Sequence, residues 1–206
     1  MLTHIKKIAV GASYFRTGQH GRCPLSCDDM QKYRFRPYSP EYKRYFQLEK
    51  RRLEKIIGRG LPVEHIGSTA VPGLGGKGIV DILIVGPKRR MLRASGMIQG
   101  RGYEFRPGGG TGERLFHQKD LRSRDGKTRR VHVHLVFSSS RNWREVVAVR
   151  DHLRAHPQAA AEYARIKRRA ATVCRGDKEI YRRCKEAFLK DLTRKAMSVK
   201  GAQGTR

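Results

Sequence analysis

The chain is short of acids, cysteines and long apolar runs, and each shortage removes a class of protein. Only 18 Asp and Glu stand against 46 Lys and Arg in 206 residues, a formal net charge of +28. Between Tyr33 and Leu192 there are 37 Lys and Arg against 16 Asp and Glu, so the excess belongs to the folded part of the chain. Such a field draws polyanions and concentrates phosphorylated molecules. Four cysteines, Cys23, Cys27, Cys174 and Cys184, are too few and too scattered for a disulfide framework. Cys23 and Cys27 with His20 offer a C-x3-C spacing without a second half, which makes zinc there the lesser reading. No run of 18 apolar residues occurs, and MLTHIKKIAVGASYF lacks a signal-peptide core. The expectation is a cytoplasmic protein with no membrane partner. Zinc-finger spacing, a basic zipper and an aromatic ribonucleoprotein signature are also missing. The clusters at Lys50-Arg51-Arg52, Lys88-Arg89-Arg90, Arg129-Arg130 and Lys167-Arg168-Arg169 leave nonspecific RNA affinity and specific recognition both open.

What is present divides into three. Residues 1–32 read as a basic N-terminal extension, poor in periodic apolar positions, and the domain proper spans 33–192. Residues 193–206 gain only positive charge and read as a disordered tail. Ser39-Pro40-Glu41 starts a helix whose Tyr42, Phe46, Leu53 and Ile57 fall near one face, with Gly58 as its stop. Val63 to Ile66 and Ile79 to Val85 carry the strand signal. A short helix over Pro87 to Ile98 turns Met91, Leu92 and Ile98 inward, and strands follow at Gly102 to Arg106 and Glu113 to Lys119. Between those strands PGGGTG, residues 107–112, reads as a mobile hairpin connection. The C-terminal third is helical, broken at His156-Pro157 and restarted at Asp177. Ile180, Cys184, Phe188 and Leu192 form the stripe of the last helix, Cys184 as a small buried apolar residue. The fold class is α/β of the α+β kind, a mixed sheet flanked by helices.

Two stretches carry chemistry. In VEHIGSTAVPGLGGKGIVDILIV, residues 63–85, the chain turns at Gly67-Ser68 and returns through a strand whose one acid is Asp81. A glycine admits close backbone approach, and serine offers a hydroxyl and an N–H to an anion. Asp81 stands among Ile79, Val80, Ile82, Leu83 and Ile84 and therefore needs a cation, a metal or a strong donor. Lys77 supplies either a structural salt bridge or a phosphate contact. In Val131 to Phe137 strict alternation gives His132 and His134 one face, about 7 Å apart, close enough to approach one metal ion or one phosphate. Arg114 is either a surface arginine or a second charge for the same cleft.

YSPEYKRYFQLEKRRLEKII, VEHIGSTAVPGLGGKGIVDILIV, GYEF, VHVHLV and VRDHLRAHPQAAAEYARIKRRA, in that order over residues 33–192, resemble the GrpB family, also called UPF0157. The resemblance implies a nucleotidyltransferase-like fold in which the Gly-Ser turn binds nucleotide phosphate and carboxylates hold two divalent ions. Some relatives are fused to dephospho-CoA kinase, where the GrpB-like region is associated with kinase folding. Carried over by position, Gly67 and Ser68 match the turn, with Thr69 beside them, and Asp81 matches the first strand acid. The second acid is Leu83, and His132 and His134 stand where a third would be. One Asp is insufficient for a two-magnesium site. Asp81, His132 and His134 instead suit zinc, manganese, iron or nickel, with Glu64 or His65 as a possible addition.

Two functions follow. In the first, the protein is a metal-dependent nucleotidyl- or phosphoryl-transfer enzyme, with Mg, Mn or Zn as the ion and a nucleotide or other phosphorylated molecule as ligand. Asp81, His132 and His134 are its catalytic and metal-binding residues, and Gly67, Ser68, Thr69, Lys77 and Arg114 bind substrate. In the second, the fold has lost its chemistry and serves as a basic binding or folding-helper module for RNA or a dephospho-CoA kinase-type partner.

Overall fold

Branched residues at Val80, Ile82 and Ile84 alternate with Asp81, Leu83 and Val85, and that alternation builds the central strand of the molecule. The computed structural model describes residues 34–122 and 128–203. The elements run α1 (Glu41–Ile57), β1 (Val63–Ile66), β2 (Val80–Gly86), α2 (Lys88–Gln99), β3 (Glu104–Phe105), β4 (Arg114–Arg122) and β5 (Thr128–Phe137). Three helices follow: α3 (Asn142–Ala155), α4 (Pro157–Val173) and α5 (Lys178–Gln203). The sheet has the order β1-β2-β5-β4-β3. Its β2–β5 pair is parallel and the other pairs are antiparallel, which makes it mixed as expected.

One face of the sheet is the main core. Val80, Ile82, Ile84, Val131, Val133 and Leu135 meet Phe46 and Leu53 of α1 and Met91 and Ile98 of α2. Each such aliphatic contributes roughly 1.5–3 kcal/mol on full burial. Glu49 of α1 lies fully buried at the edge of this layer, held by Arg52 Nη1 at 3.0 Å and by the Tyr103 hydroxyl, which donates to it. The opposite face is covered only in part. Ile66, Leu83, Val85 and Val136 receive Trp143 and Val147 from α3, while Val71 and Leu74 pack among α3, α4 and α5.

Several expectations are corrected by packing. Leu92 is 51% exposed because α2 turns Met91, Ala94 and Ile98 inward instead. The last helix keeps Phe188 and Leu192 of its expected stripe against the bundle but not the first half: Tyr181 is buried, whereas Ile180 and Cys184 face solvent. That helix also runs on to Gln203, with Leu192 and Ala196 buried four residues apart, where a disordered tail was expected from residue 193. Apolar contact on the bundle side continues the helix beyond the point where the stripe fades in sequence. Within PGGGTG, Pro107–Gly109 forms a 3-10 turn whose Gly109 carbonyl accepts from Arg114 Nη2 at 2.9 Å, an ordered connection. The start of the last helix is as expected, since Asp177 Oδ1 accepts from the N–H groups of Glu179 and Ile180 at 2.7 and 2.9 Å. The 1–32 extension, with His20, Cys23 and Cys27, lies outside the described residues.

Candidate functional site

Register brings the two chemical stretches together. In the parallel β2–β5 pair Asp81 stands beside His132 and Leu83 beside His134, all on the sheet face away from the main core. His132 Nδ1 lies 3.0 Å and His134 Nε2 3.6 Å from Asp81 Oδ1. Phe116 of β4, opposite His134 in the ladder, packs its ring 4.9 Å from His132 and 5.1 Å from His134. Burial alone would raise the Asp81 carboxyl, but hydrogen bonds and attraction from both imidazoles outweigh it and hold the group well below the ordinary carboxylate range. One ligand atom from each of the three residues lies within 4.8 Å of the other two, the only such group of three among the described residues. A carboxylate and two imidazoles at that spacing fit zinc, manganese or iron with positions left open, and suit magnesium poorly because it takes oxygen.

The Gly67-Ser68 turn rests directly on this group. Gly67 has φ 72° and ψ −169°, a glycine conformation, and a Cβ built there would lie 2.4 Å from Asp81 Oδ2. A second glycine opens the space beside it. A Cβ on Gly76 would lie 2.5 Å from Ser68 Oγ and 2.9 Å from Lys167 Nζ, so a hydroxyl and an ammonium converge over that residue. Lys167 of α4 is 5% exposed and donates to the Gly75 carbonyl at 2.9 Å. Burial, then repulsion from Lys185, pushes its ammonium down to about 7, with Asp81 pulling upward and Lys77 downward. Lys185 is pushed down to about 8 by burial and by Lys77. Lys77 Nζ and Lys185 Nζ both lie over the Tyr181 ring, 5.8 and 4.1 Å from its centroid. Lysines from three segments thus repel one another, which disfavours the charge on Lys167 and Lys185 until an anion arrives.

The remaining candidates are distributed unevenly. Thr69 is buried and faces inward, its hydroxyl donating to the Ile79 carbonyl at 2.9 Å and therefore accepting from His65 Nε2 at 3.0 Å. His65 belongs to the core face, stacked on Phe46 at 4.6 Å, and burial pushes its imidazole down to about 4. Glu64 does share the Asp81 face, but Arg150 Nη1 holds its carboxylate at 2.6 Å. Neither belongs with the Asp81 group. Arg114 reaches the same face beside Val136 and lines a cavity of about 80 Å³ with His134 and Leu83.

The sequence places Lys167 only in a basic cluster and does not single out Arg150. Their signal was present, since Lys167 continues the buried spacing Ala160, Tyr163, Ala164 of α4, and Arg150 lies between buried Ala148 and Leu153 of α3. A cation on an apolar helix face is the trace such a site leaves.

The profile described as GrpB protein matches residues 32–195. The chain is 32% identical over 165 residues to the UPF0157 protein PA4798 of Pseudomonas aeruginosa, covering 79% of this chain and 66% of that one. It therefore spans just under two thirds of that relative's length. The crystal structure of the conserved protein GrpB from Enterococcus faecalis superposes with a TM-score of 0.70 at 27% identity, over 81% of this chain and 98% of that chain. A remoter likeness is to the Cid1 poly(U) polymerase, with a TM-score of 0.44 at 14% identity over 71% of this chain and 44% of the other.

Proposed function

This chain belongs to the GrpB family, and we propose that its cleft is a metal-dependent site for a phosphorylated ligand, such as a nucleotide, built for nucleotidyl or phosphoryl transfer. The observation that carries the proposal is the meeting of Asp81, His132 and His134 directly beneath the Gly67-Ser68 turn. Those three residues would hold zinc or manganese, and the bound ion would polarise a phosphoryl oxygen. The chain's own groups do the rest. Ser68 and Lys167, which meet above Gly76, donate to a phosphate, while Lys77 and Lys185 add positive charge that a polyphosphate offsets. Phe116 shields the imidazole pair from water on the β4 side.

A second reading, a binding or folding-helper module without chemistry, has one observation in its favour. Leu83 stands at the position of a second carboxylate and is 2% exposed, packed with Ile66, Val85 and Val136. Metal analysis of the purified protein separates the two, followed by thermal shift with Zn, Mn or Mg, with and without pyrophosphate or nucleoside triphosphate. Stoichiometric metal and a ligand-dependent rise in Tm, both lost in Asp81→Ala, are expected. Protein that retains no metal and ignores every phosphate compound would leave only the module.

A further inference from the structure

Beside the Gly67-Ser68 turn lies a cavity of about 290 Å³ between that turn, the connector after it and the C-terminal helices. Leu74, Val149, Leu153, Tyr163 and Leu189 wall it, drawn from the connector and all three helices. Gly67 and Ser68, the turn that rests on Asp81, line the cavity together with Lys167 of α4. Arg150 and Thr193 on its wall are already bonded within the fold, Ser68 and Lys167 keep donors for an anion, and Glu145, which also lines it, is exposed to solvent. Arg150 donates to Glu64, Asp151 and the His65 carbonyl, Thr193 Oγ1 donates to the Leu189 carbonyl, and Lys167 donates to the Gly75 carbonyl.

A nucleobase or a sugar brings several donors and acceptors that must be matched when buried. This wall has few to spare. An aliphatic group needs none and gains from leaving water. We infer that the cavity receives the aliphatic body of a phosphorylated ligand, an alkyl or acyl-chain phosphate whose head sits at Ser68 and Lys167. The inference rests on the phosphate reading of that turn and assigns this cavity to an aliphatic phosphate in place of a nucleotide, a choice the test separates from the phosphate site itself.

The test is a chain-length series on the full-length protein. Inorganic phosphate, methyl, butyl and hexyl phosphate, and ribose 5-phosphate as a polar body of similar size, are titrated by calorimetry. Affinity is expected to rise about fourfold per methylene, corresponding to ~0.8 kcal/mol each, until the cavity is filled. Ribose 5-phosphate should bind no tighter than inorganic phosphate. In Val149→Trp, which fills the cavity, the ratio of hexyl phosphate to inorganic phosphate affinity should fall towards one. If inorganic phosphate binds but the alkyl series is flat, or ribose 5-phosphate outruns hexyl phosphate, the aliphatic ligand is wrong and the phosphate site stands. If no member of the series binds, the phosphate reading fails and the inference falls with it. The wild-type series decides even where the variant does not fold.

Discussion

Replacing Gly67 by alanine tests the geometry at its tightest point. The residue holds φ 72° and ψ −169°, a region that costs a side-chain-bearing residue about 1–3 kcal/mol. The new methyl would stand 2.4 Å from Asp81 Oδ2, so the carboxylate must retreat by roughly 1 Å to ordinary contact. Retreat breaks its 3.0 Å bond with His132, a charged hydrogen bond of ~1.5–3 kcal/mol. The combined loss is about 2.5–6 kcal/mol, or ~5–24 °C in Tm for a chain of this length. Gly73→Ala is the internal control, because Gly73 also has a positive φ, 75°, but a Cβ there meets nothing within 4 Å. It should lose only the backbone share, ~1 kcal/mol. Urea denaturation of both variants, with and without zinc, reads the difference. Zinc stabilisation should survive in Gly73→Ala and vanish in Gly67→Ala. Equal destabilisation of the two variants, or a zinc response that survives in both, would refute the claim that the turn and the metal group share one steric fit.

Two further outcomes concern the shell around the site. His65 protonates near 6.5 when unfolded and about 4 when folded, so the unfolded chain binds the extra proton between those values. The stability this residue contributes is complete above pH 6.5 and is lost as pH falls through about 4, by ~3 kcal/mol. His65→Gln keeps a donor for Thr69 and should lessen the fall in urea midpoint between pH 7.5 and 4.5; an unchanged fall would exclude His65 as its source. Arg150→Met removes the link from α3 to Glu64, Asp151 and the His65 carbonyl. Because both carboxylates are nearly half exposed and rehydrate, the cost should be ~2 kcal/mol, mostly the unpaired carbonyl, well below the 3–5 typical of a fully buried pair. A near-zero change in denaturant midpoint would mean that α3 docks by apolar contact alone.

Strand alternation was the most legible signal in the chain. It put His132 and His134 on one face and marked Asp81 as an acid in need of a partner, and the parallel register then joined them. The Gly-Ser turn was legible because only a glycine fits against that carboxylate. Helix faces were less so. Phe188 and Leu192 of α5 pack against the bundle as their spacing predicts, but at the start of the helix Tyr181 takes the interior while Ile180 and Cys184 are left outside. Lys167 could be seen as a cation on an apolar face, but its meeting with Ser68 over Gly76 depends on how α4 docks, which no local pattern records.

Leu83 is explained by that docking. Along α3, Trp143, Val147, Arg150 and Arg154 follow one another at helical spacing and make one continuous seam. The first two rest with Leu83, Ile66, Val85 and Val136; Arg150 then takes Glu64 and the His65 carbonyl, and Arg154 Nε donates to the Ala70 carbonyl at 2.9 Å. An acid at position 83 would be placed in the apolar seat of this helix and would cost several kcal/mol unless paired. The neighbouring stripe of the same helix, Val146, Val149 and Leu153, walls the cavity behind the Gly-Ser turn. An apolar residue at position 83 and the presence of an apolar chamber are therefore two consequences of one packing choice: the strand position beside His134 seats the helix that shapes the chamber.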